Sequence, residues 1–162
     1  MFLKIINRIY SFIKFIEENL VVILLGIMVS NVAIGVFYRY VLNNSLSWTE
    51  ELARYMMIWF AYIGMAIAFR DESHVSVSVV VGLFPLYVRH ITKIISYTLV
   101  LFFLITLFYQ SLNIFKIIKI QTSPSLRISM VYPYLSVTFG SLLMAIEIVN
   151  LIYINVKAVI KK

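Results

Sequence analysis

The order of apolar and charged residues divides the chain into long segments without charge. Lys, Arg, Asp and Glu are all absent from residues 19–38, 55–69, 94–115 and 128–146. About 20 apolar residues in a helix cross a hydrocarbon core of about 30 Å. The pattern therefore predicts four transmembrane helices, over about residues 20–38, 48–69, 86–119 and 132–156.

The first 18 residues show a different, two-sided pattern. One helical face is apolar, and the other is polar at Lys4, Asn7, Arg8, Ser11, Lys14, Glu17 and Glu18. This spacing predicts a basic amphipathic helix that lies in the membrane interface. A secretory signal peptide is the alternative, but the apolar run begins only near Leu20, is too long, and has no small-residue cleavage pattern before Arg39.

These segments together predict the fold class. The chain is expected to be an all-α integral membrane protein, with four transmembrane helices preceded by an N-terminal interfacial amphipathic helix at residues 1–18. The helices use most of the sequence, so residues 1–162 are expected to form a single membrane domain.

Small and polar residues in the first transmembrane segment predict contacts between helices. Gly26 and Ser30 lie four residues apart, as do Asn31 and Gly35, and such spacing lets a neighbouring helix approach closely. Asn31 either contacts a ligand at mid-membrane or forms an interhelical hydrogen bond, and the hydrogen bond is favoured.

The second transmembrane segment begins with three charges. Glu50 and Glu51 lie four and three residues before Arg54, so both glutamates are predicted to pair with this arginine near the membrane interface. Aromatic residues typical of an interfacial belt surround them: Tyr38, Tyr40, Trp48 and Tyr55.

Composition agrees with a membrane protein. Apolar residues make up 62% of the chain and charged residues 13%, against about 45–50% and about 25% in soluble domains. The sequence has no cysteine, which excludes the four-helix thiol oxidoreductases of membranes. The net charge is +7, but the basic residues are scattered at helix ends, so no nucleic-acid partner is predicted.

The distribution of basic residues predicts the orientation. Alternate loops and ends place nine on one side: Lys4, Arg8, Lys14, Arg70, Arg89, Lys93, Lys157, Lys161 and Lys162. The other side receives five: Arg39, Arg54, Lys116, Lys119 and Arg127. The positive-inside rule therefore predicts that both termini are cytoplasmic.

Catalytic chemistry is not predicted. His74 and His90 lie sixteen residues apart without the convergent spacing of a metal or haem site, and solvated loop histidines are favoured. The sequence contains no phosphate-binding glycine loop and no hydrolase motif. We expect neither enzymatic activity nor a cofactor.

Glu147 is the acidic residue inside a predicted transmembrane helix. A carboxylate in the bilayer is a functional candidate by default. Because Glu147 lies about ten residues before Lys157, a structural role at the interface or with a basic partner is favoured over proton or ion coupling.

Two stretches resemble a known family, the small membrane subunit (DctQ-type) of tripartite ATP-independent periplasmic (TRAP) transporters. The first is RYVLNNSLSWTEELARY at residues 39–55, followed by Trp59, Gly64, Ala66, Arg70 and His74. The second is SPSLRI at residues 123–128, leading through Tyr132 and Pro133 to Gly140. The family often has an acidic residue where this chain has Ser78.

The resemblance implies a location and partners. The protein would lie in the bacterial cytoplasmic (inner) membrane beside a large multi-helix subunit that contains the substrate and sodium sites and moves as an elevator. A soluble periplasmic protein would deliver an organic acid, such as a C4-dicarboxylate or sialic acid. The small subunit would brace the stationary part of the large one and contact membrane lipid, and its loops 39–47 and 116–127 would be candidates for touching the delivery protein.

The resemblance and the residue pattern together give a set of structural or subunit-interface candidates. They are Arg39, Trp48, Glu50, Glu51, Arg54, Trp59, Gly64, Arg70, His74 and Glu147.

The alternative function is a self-contained small exporter or channel built by homo-oligomerisation. Small multidrug exporters need a membrane-embedded carboxylate in the first helix, and residues 20–38 contain none. Secondary transporters also interrupt helices near the midplane, and no Gly or Pro breaks a predicted helix centre here.

Overall fold

A computed structural model describes residues 2–71 and 85–160 of the protein. The described chain forms four helices: α1 (Phe2–Tyr40), α2 (Ser47–Arg70), α3 (Leu86–Ile118) and α4 (Val131–Ile160). All four are long and apolar enough to cross a membrane. Within the described ranges the only β pairing is an isolated bridge between Thr122 and Ser129. The predicted all-α membrane fold is confirmed.

Helix α1 differs from the prediction because it has no boundary near residue 19. It is continuous over 39 residues, which corresponds to about 58 Å at 1.5 Å per residue. No Gly or Pro precedes Gly26 in this helix, so nothing in the sequence interrupts its backbone hydrogen bonds. A separate interfacial helix over residues 1–18 is therefore absent, and a position of this segment in the membrane interface stays a prediction.

The helices pack around a central pair. Extensive contacts join α2 to α4, α1 to α2, and α3 to α4. The buried hydrophobic cluster lies among α2, α3 and α4, and it is formed by Ala66, Leu104, Met144 and Ile148. Helix α1 packs along α2 outside this cluster, so the four helices do not close around one shared core.

Two glycines allow close approach between helices. A Cβ atom at Gly35 of α1 would lie 2.7 Å from Thr49 Oγ1, and one at Gly140 of α4 would lie 2.5 Å from Tyr62 Cβ. Next to Gly35, Asn31 is buried and its Nδ2 donates to the carbonyl oxygen of Thr49 at 2.6 Å. The predicted interhelical hydrogen bond of Asn31 is thus confirmed, and α1 is fixed to the start of α2.

Bulky apolar side chains cover the outer faces of the peripheral helices. The exposed fraction is 68% for Val22 on α1 and 73% for Phe102 on α3. Exposed side chains of this size are typical of surfaces that face lipid or another membrane subunit.

Candidate functional site

Polar side chains gather at both ends of the helices. We call the end with the connections 41–46 and 119–130 the two-loop end, and the opposite end the Arg70 end. The predicted site residues divide between them, except His74, which lies outside the described residues.

Glu51 fixes the α3–α4 connection at the two-loop end. Its side chain is buried, and Oε2 accepts hydrogen bonds from the backbone N–H groups of Ser125 at 2.8 Å and Leu126 at 3.0 Å. The hydroxyl of Tyr55, one turn further along α2, donates to Oε1. The predicted pair between Glu51 and Arg54 is wrong, because two backbone donors and a phenol occupy this carboxylate.

The same connection is also held by backbone hydrogen bonding within it. Ser123 is buried, and its backbone N–H donates to the carbonyl oxygen of Ile128 at 2.8 Å. Arg127 lies between these residues with a positive φ of 54°, a conformation that non-glycine residues adopt only when the surroundings require it. Glu51 therefore holds a tightly folded turn against α2.

Glu50 also has a partner other than the predicted one. It forms an ion pair with Arg39 at the end of α1, and both side chains are about half exposed. Arg39 in turn lies 3.5 Å from Ser45 Oγ. The predicted Glu50–Arg54 pair is wrong, and Arg54 is exposed with no ion pair or hydrogen bond to any residue that the structure describes.

A cleft of about 710 Å³ opens between α2 and α4 at this end. The charged residues Arg39, Glu50 and Arg54 and the apolar residues Ile58 and Val137 are part of its lining. The remaining lining residues are Ser45, Ser47, Glu51, Tyr55, Pro124, Ser125, Met130, Pro133 and Tyr134.

The two tryptophans and Gly64 occupy different surroundings. Trp59 Nε1 donates to the carbonyl oxygen of Tyr132 at 3.2 Å, which joins α2 to the start of α4. Trp48 is 37% exposed at the two-loop end. Around Gly64, apart from the backbone of its own helix and its two chain neighbours, no described residue has an atom within 4 Å of where a Cβ would be.

At the opposite end, Arg70 is the centre of an ionic cluster in which Arg70 and Glu17 are buried while Glu18 and Asp71 are about half exposed. Its side chain is only 7% exposed. Nη1 pairs with Glu17 at 2.8 Å, Nη2 pairs with Glu18 at 2.9 Å, and Nε lies 3.6 Å from Asp71 Oδ1. The polar face predicted for residues 1–18 thus meets the end of α2 through Glu17 and Glu18.

Glu147 extends the polar contacts of this end to α4. It is 2% exposed, and its Oε2 accepts a hydrogen bond from the hydroxyl of Tyr10 at 2.7 Å. The direct partner is thus a phenol instead of the basic side chain that the sequence suggested, and a structural role for Glu147 stays a prediction. Sequence reasoning missed Tyr10, Glu17 and Glu18 because it separated this part of α1 from the bundle.

His90 is part of a helix contact instead of a solvated loop. It is half-buried on α3, and its Nδ1 lies 2.8 Å from Oδ1 of the buried Asn155 on α4. Among the described residues, no group of three or more His, Cys, Asp or Glu side chains is arranged to hold a metal ion.

Comparison with known proteins identifies related sequences. Residues 28–157 match the family described as tripartite ATP-independent periplasmic transporters, DctQ component. A Haemophilus influenzae protein, named as a TRAP transporter small permease protein, is 39% identical over 85 residues, which are 52% of this chain and 53% of the relative.

Two further relatives have names that include a substrate. The isethionate TRAP transporter permease protein DctMQ of Oleidesulfovibrio alaskensis is 34% identical over 64% of this chain and 16% of its own length. The C4-dicarboxylate TRAP transporter small permease protein DctQ of Vibrio cholerae is 26% identical over 66% of this chain and 46% of its own length. The matched region thus spans about half the length of two of these three relatives and a much smaller share of DctMQ.

Proposed function

Because the chain belongs to the DctQ component family of tripartite ATP-independent periplasmic transporters, we propose that it is the small membrane subunit of a sodium-coupled transporter that takes up an organic acid. The family and the four helices place it in the bacterial inner membrane as a multi-pass protein. Its partners in this proposal are a large permease subunit and a periplasmic substrate-binding protein.

The observation that carries this proposal is that each buried glutamate of the described chain has a structural partner. Glu51 accepts from two backbone N–H groups, Glu17 pairs with Arg70, and Glu147 accepts from Tyr10. A transport pathway needs polar groups that bind and release an ion or substrate. Here these carboxylates join helices to one another or to a connection, which supports an accessory role.

The positions of these contacts support the proposed bracing function. At the two-loop end, Glu51 and the Arg39–Glu50 pair fix α1, α2 and the α3–α4 connection. At the Arg70 end, Arg70 and Glu147 fix the first part of α1 to α2 and α4. A moving transport domain needs a partner that keeps its shape, and helices tied at both ends suit that role.

The partner proposal is supported by the exposed surface and by one relative. The described helices leave apolar faces uncovered, and a membrane subunit together with lipid would cover them. In the isethionate relative, the matched region is 16% of a longer permease protein, so a sequence of this type can be part of the same chain as a larger permease.

The substrate is proposed as an organic acid, of the C4-dicarboxylate or sialic acid type. It would be bound by the other subunits, with the binding protein touching loops 39–47 and 116–127. The proposed roles of Arg39, Trp48, Glu50, Glu51, Arg54, Trp59, Gly64, Arg70, His74 and Glu147 are to hold this subunit together or to contact the large one.

Reconstitution in liposomes tests the proposed function. Under an inward sodium gradient, we compare the chain alone, the chain with the large subunit, and both with the binding protein. Labelled organic acid should accumulate only in the third sample. Uptake or drug efflux by the chain alone would contradict the accessory role and favour the homo-oligomeric exporter or channel.

A further inference from the structure

One face of α2 is uncovered although this helix lies between α1 and α4. Arg54, Met57, Ala61, Gly64, Met65 and Ala68 recur three or four residues apart and therefore share a helical face. Arg54, Met57, Ala61 and Met65 are exposed, and Gly64 and Ala68 are half-exposed. We call these six residues the α2 front face.

Grooves flank the two-loop half of this face on both sides. The 710 Å³ cleft lies on the α4 side and is lined by Arg54, Ile58 and Val137. A second cleft of about 350 Å³ lies on the α1 side and is lined by Val32, Gly35 and Ala53. Helices pack by fitting the ridges of one into the grooves of the other. A ridge with a groove on each side is therefore a surface on which a neighbouring helix can pack.

The side chains on this face differ from those on the uncovered surface of α3. Exposed residues of α3 are bulky, including Leu99, Phe102 and Phe103, with exposed fractions from 61% to 73%. The α2 front face combines Met57 and Met65 with the small residues Ala61, Gly64 and Ala68. Small residues favour contact between helices in membranes because the backbones can approach closely.

Where a glycine faces another helix of this chain, a side chain of that helix occupies the space beside it. Thr49 packs against Gly35 and Tyr62 packs against Gly140, whereas the space at Gly64 is open. The α2 front face therefore has the composition of an interface between helices, but no described helix of this chain packs against it.

The charge on this face indicates what the missing helix would contain. Arg54 has no ion-pair partner in the described chain, while the neighbouring Arg39 is paired with Glu50. A helix that covers the face would remove water from the guanidinium of Arg54, and an unpaired buried charge is costly. The complementary group is a carboxylate.

We propose that the α2 front face binds one transmembrane helix of the large permease subunit, and that this helix presents an Asp or Glu carboxylate to Arg54. The inference rests on the proposed function, since it specifies the surface through which the two membrane subunits meet. Closest approach of the two helices is at Ala61 and Gly64.

Co-purification of an affinity-tagged chain with the large subunit of its transporter tests the proposal. Gly64→Leu fills the open space, and Gly26→Leu is the matched control, because a Cβ at Gly26 also has no atom within 4 Å. We expect Gly64→Leu and Arg54→Glu each to lower recovery of the large subunit about tenfold or more, a change of about 1.4 kcal/mol in binding. Gly26→Leu and Arg54→Lys should retain it.

The folding of each variant is checked on the isolated chain in detergent. Gly64→Leu should keep the thermal stability of the unchanged chain, since no other helix or connection that the structure describes comes within 4 Å of a Cβ at this position. If the Gly64→Leu chain is stable but no longer recovers the large subunit, the loss is due to the interface and not to misfolding.

Cysteine cross-linking gives a second readout, because the sequence has no cysteine. Single cysteines at Met57 and Ala61 should cross-link to the large subunit. Normal recovery with both Gly64→Leu and Arg54→Glu, equal losses with Gly64→Leu and Gly26→Leu, or no cross-link from Met57 and Ala61 would each overturn the inference. Failure of the unchanged chain to recover the large subunit would instead contradict the proposed function.

Discussion

The hydroxyl of Tyr10 donates a hydrogen bond to the carboxylate of Glu147, which lies 137 residues later in the chain. This contact joins the first part of α1 to the second half of α4. Both residues lie on helices long enough to cross a membrane, where a carboxylate without a partner is costly. The pair explains how an acidic residue is accommodated in α4, and it holds the first part of α1 against the bundle.

Removing the Tyr10 hydroxyl should destabilise the protein. Tyr10→Phe leaves the buried Glu147 without this donor, at an expected cost of about 1–3 kcal/mol in the free energy of unfolding. Tyr153→Phe is the matched control, because Tyr153 is on the same helix as Glu147 and is 65% exposed. Unfolding in mixed micelles measures both, and equal stability of the two variants would contradict a structural role for the contact.

Arg70 should be essential for packing α1 against α2. Arg70→Ala leaves Glu17, which is 3% exposed, without its cation, and breaking a buried pair in this way costs about 3–5 kcal/mol. Adding Glu17→Ala removes the stranded carboxylate, so the double variant should be more stable than the sum of the two single losses indicates. Strict additivity in this double-mutant cycle would show that the two side chains do not depend on each other.

Sequence patterns located the transmembrane helices well because the length of a segment without charged residues determines whether it can cross a bilayer. The predicted spans 48–69, 86–119 and 132–156 correspond to Ser47–Arg70, Leu86–Ile118 and Val131–Ile160. The error at residue 19 has a physical cause, since polarity marks what faces water or lipid, whereas helix continuity depends on breakers such as Gly and Pro.

The partners of the charged residues could not be deduced from spacing. An i,i+4 pair contributes only about 0.2–0.5 kcal/mol, so tertiary contacts readily replace it. Glu51 reaches the backbone of Ser125 and Leu126, which are more than 70 residues away. Only the folded chain places those donors beside α2. Asn31 was predictable because a buried amide in a membrane helix has few partners other than a neighbouring helix.

Replacing Glu51 should destabilise the protein more than replacing its neighbour Glu50. Glu51→Ala removes the acceptor for two backbone N–H groups and for Tyr55, which frees the α3–α4 connection from α2. Glu50→Ala only breaks a half-exposed pair with Arg39, and pairs of this kind contribute about 0–1 kcal/mol. We expect a clearly lower melting temperature for Glu51→Ala and faster protease cleavage within residues 119–130. Equal behaviour of the two variants would contradict the anchoring role of Glu51.

Close packing at Gly140 predicts a loss of stability on substitution that the open position Gly26 does not show. Gly140→Leu would force side-chain atoms against Tyr62, where even a Cβ would lie 2.5 Å away, and overpacking of this kind costs about 1–3 kcal/mol or more. Gly26→Leu has open space and should leave the melting temperature of the isolated chain unchanged. If both variants melt alike, α2 and α4 do not approach as closely as the structure has them.

Orientation is the last prediction, and it rests on nine basic residues on one side against five on the other. Because the sequence has no cysteine, single cysteines can be introduced without background labelling. Asn44 and Gln121 are exposed at the two-loop end, and Asp71 and Lys157 are exposed at the Arg70 end. In intact cells with a permeabilised outer membrane, an impermeant thiol reagent should label Asn44→Cys and Gln121→Cys but not Asp71→Cys or Lys157→Cys. Disruption of the inner membrane should then expose the second pair, which shows that those thiols are reactive. The reverse labelling pattern would place the termini outside, and it would also exclude the two-loop end as the surface that a periplasmic partner can reach.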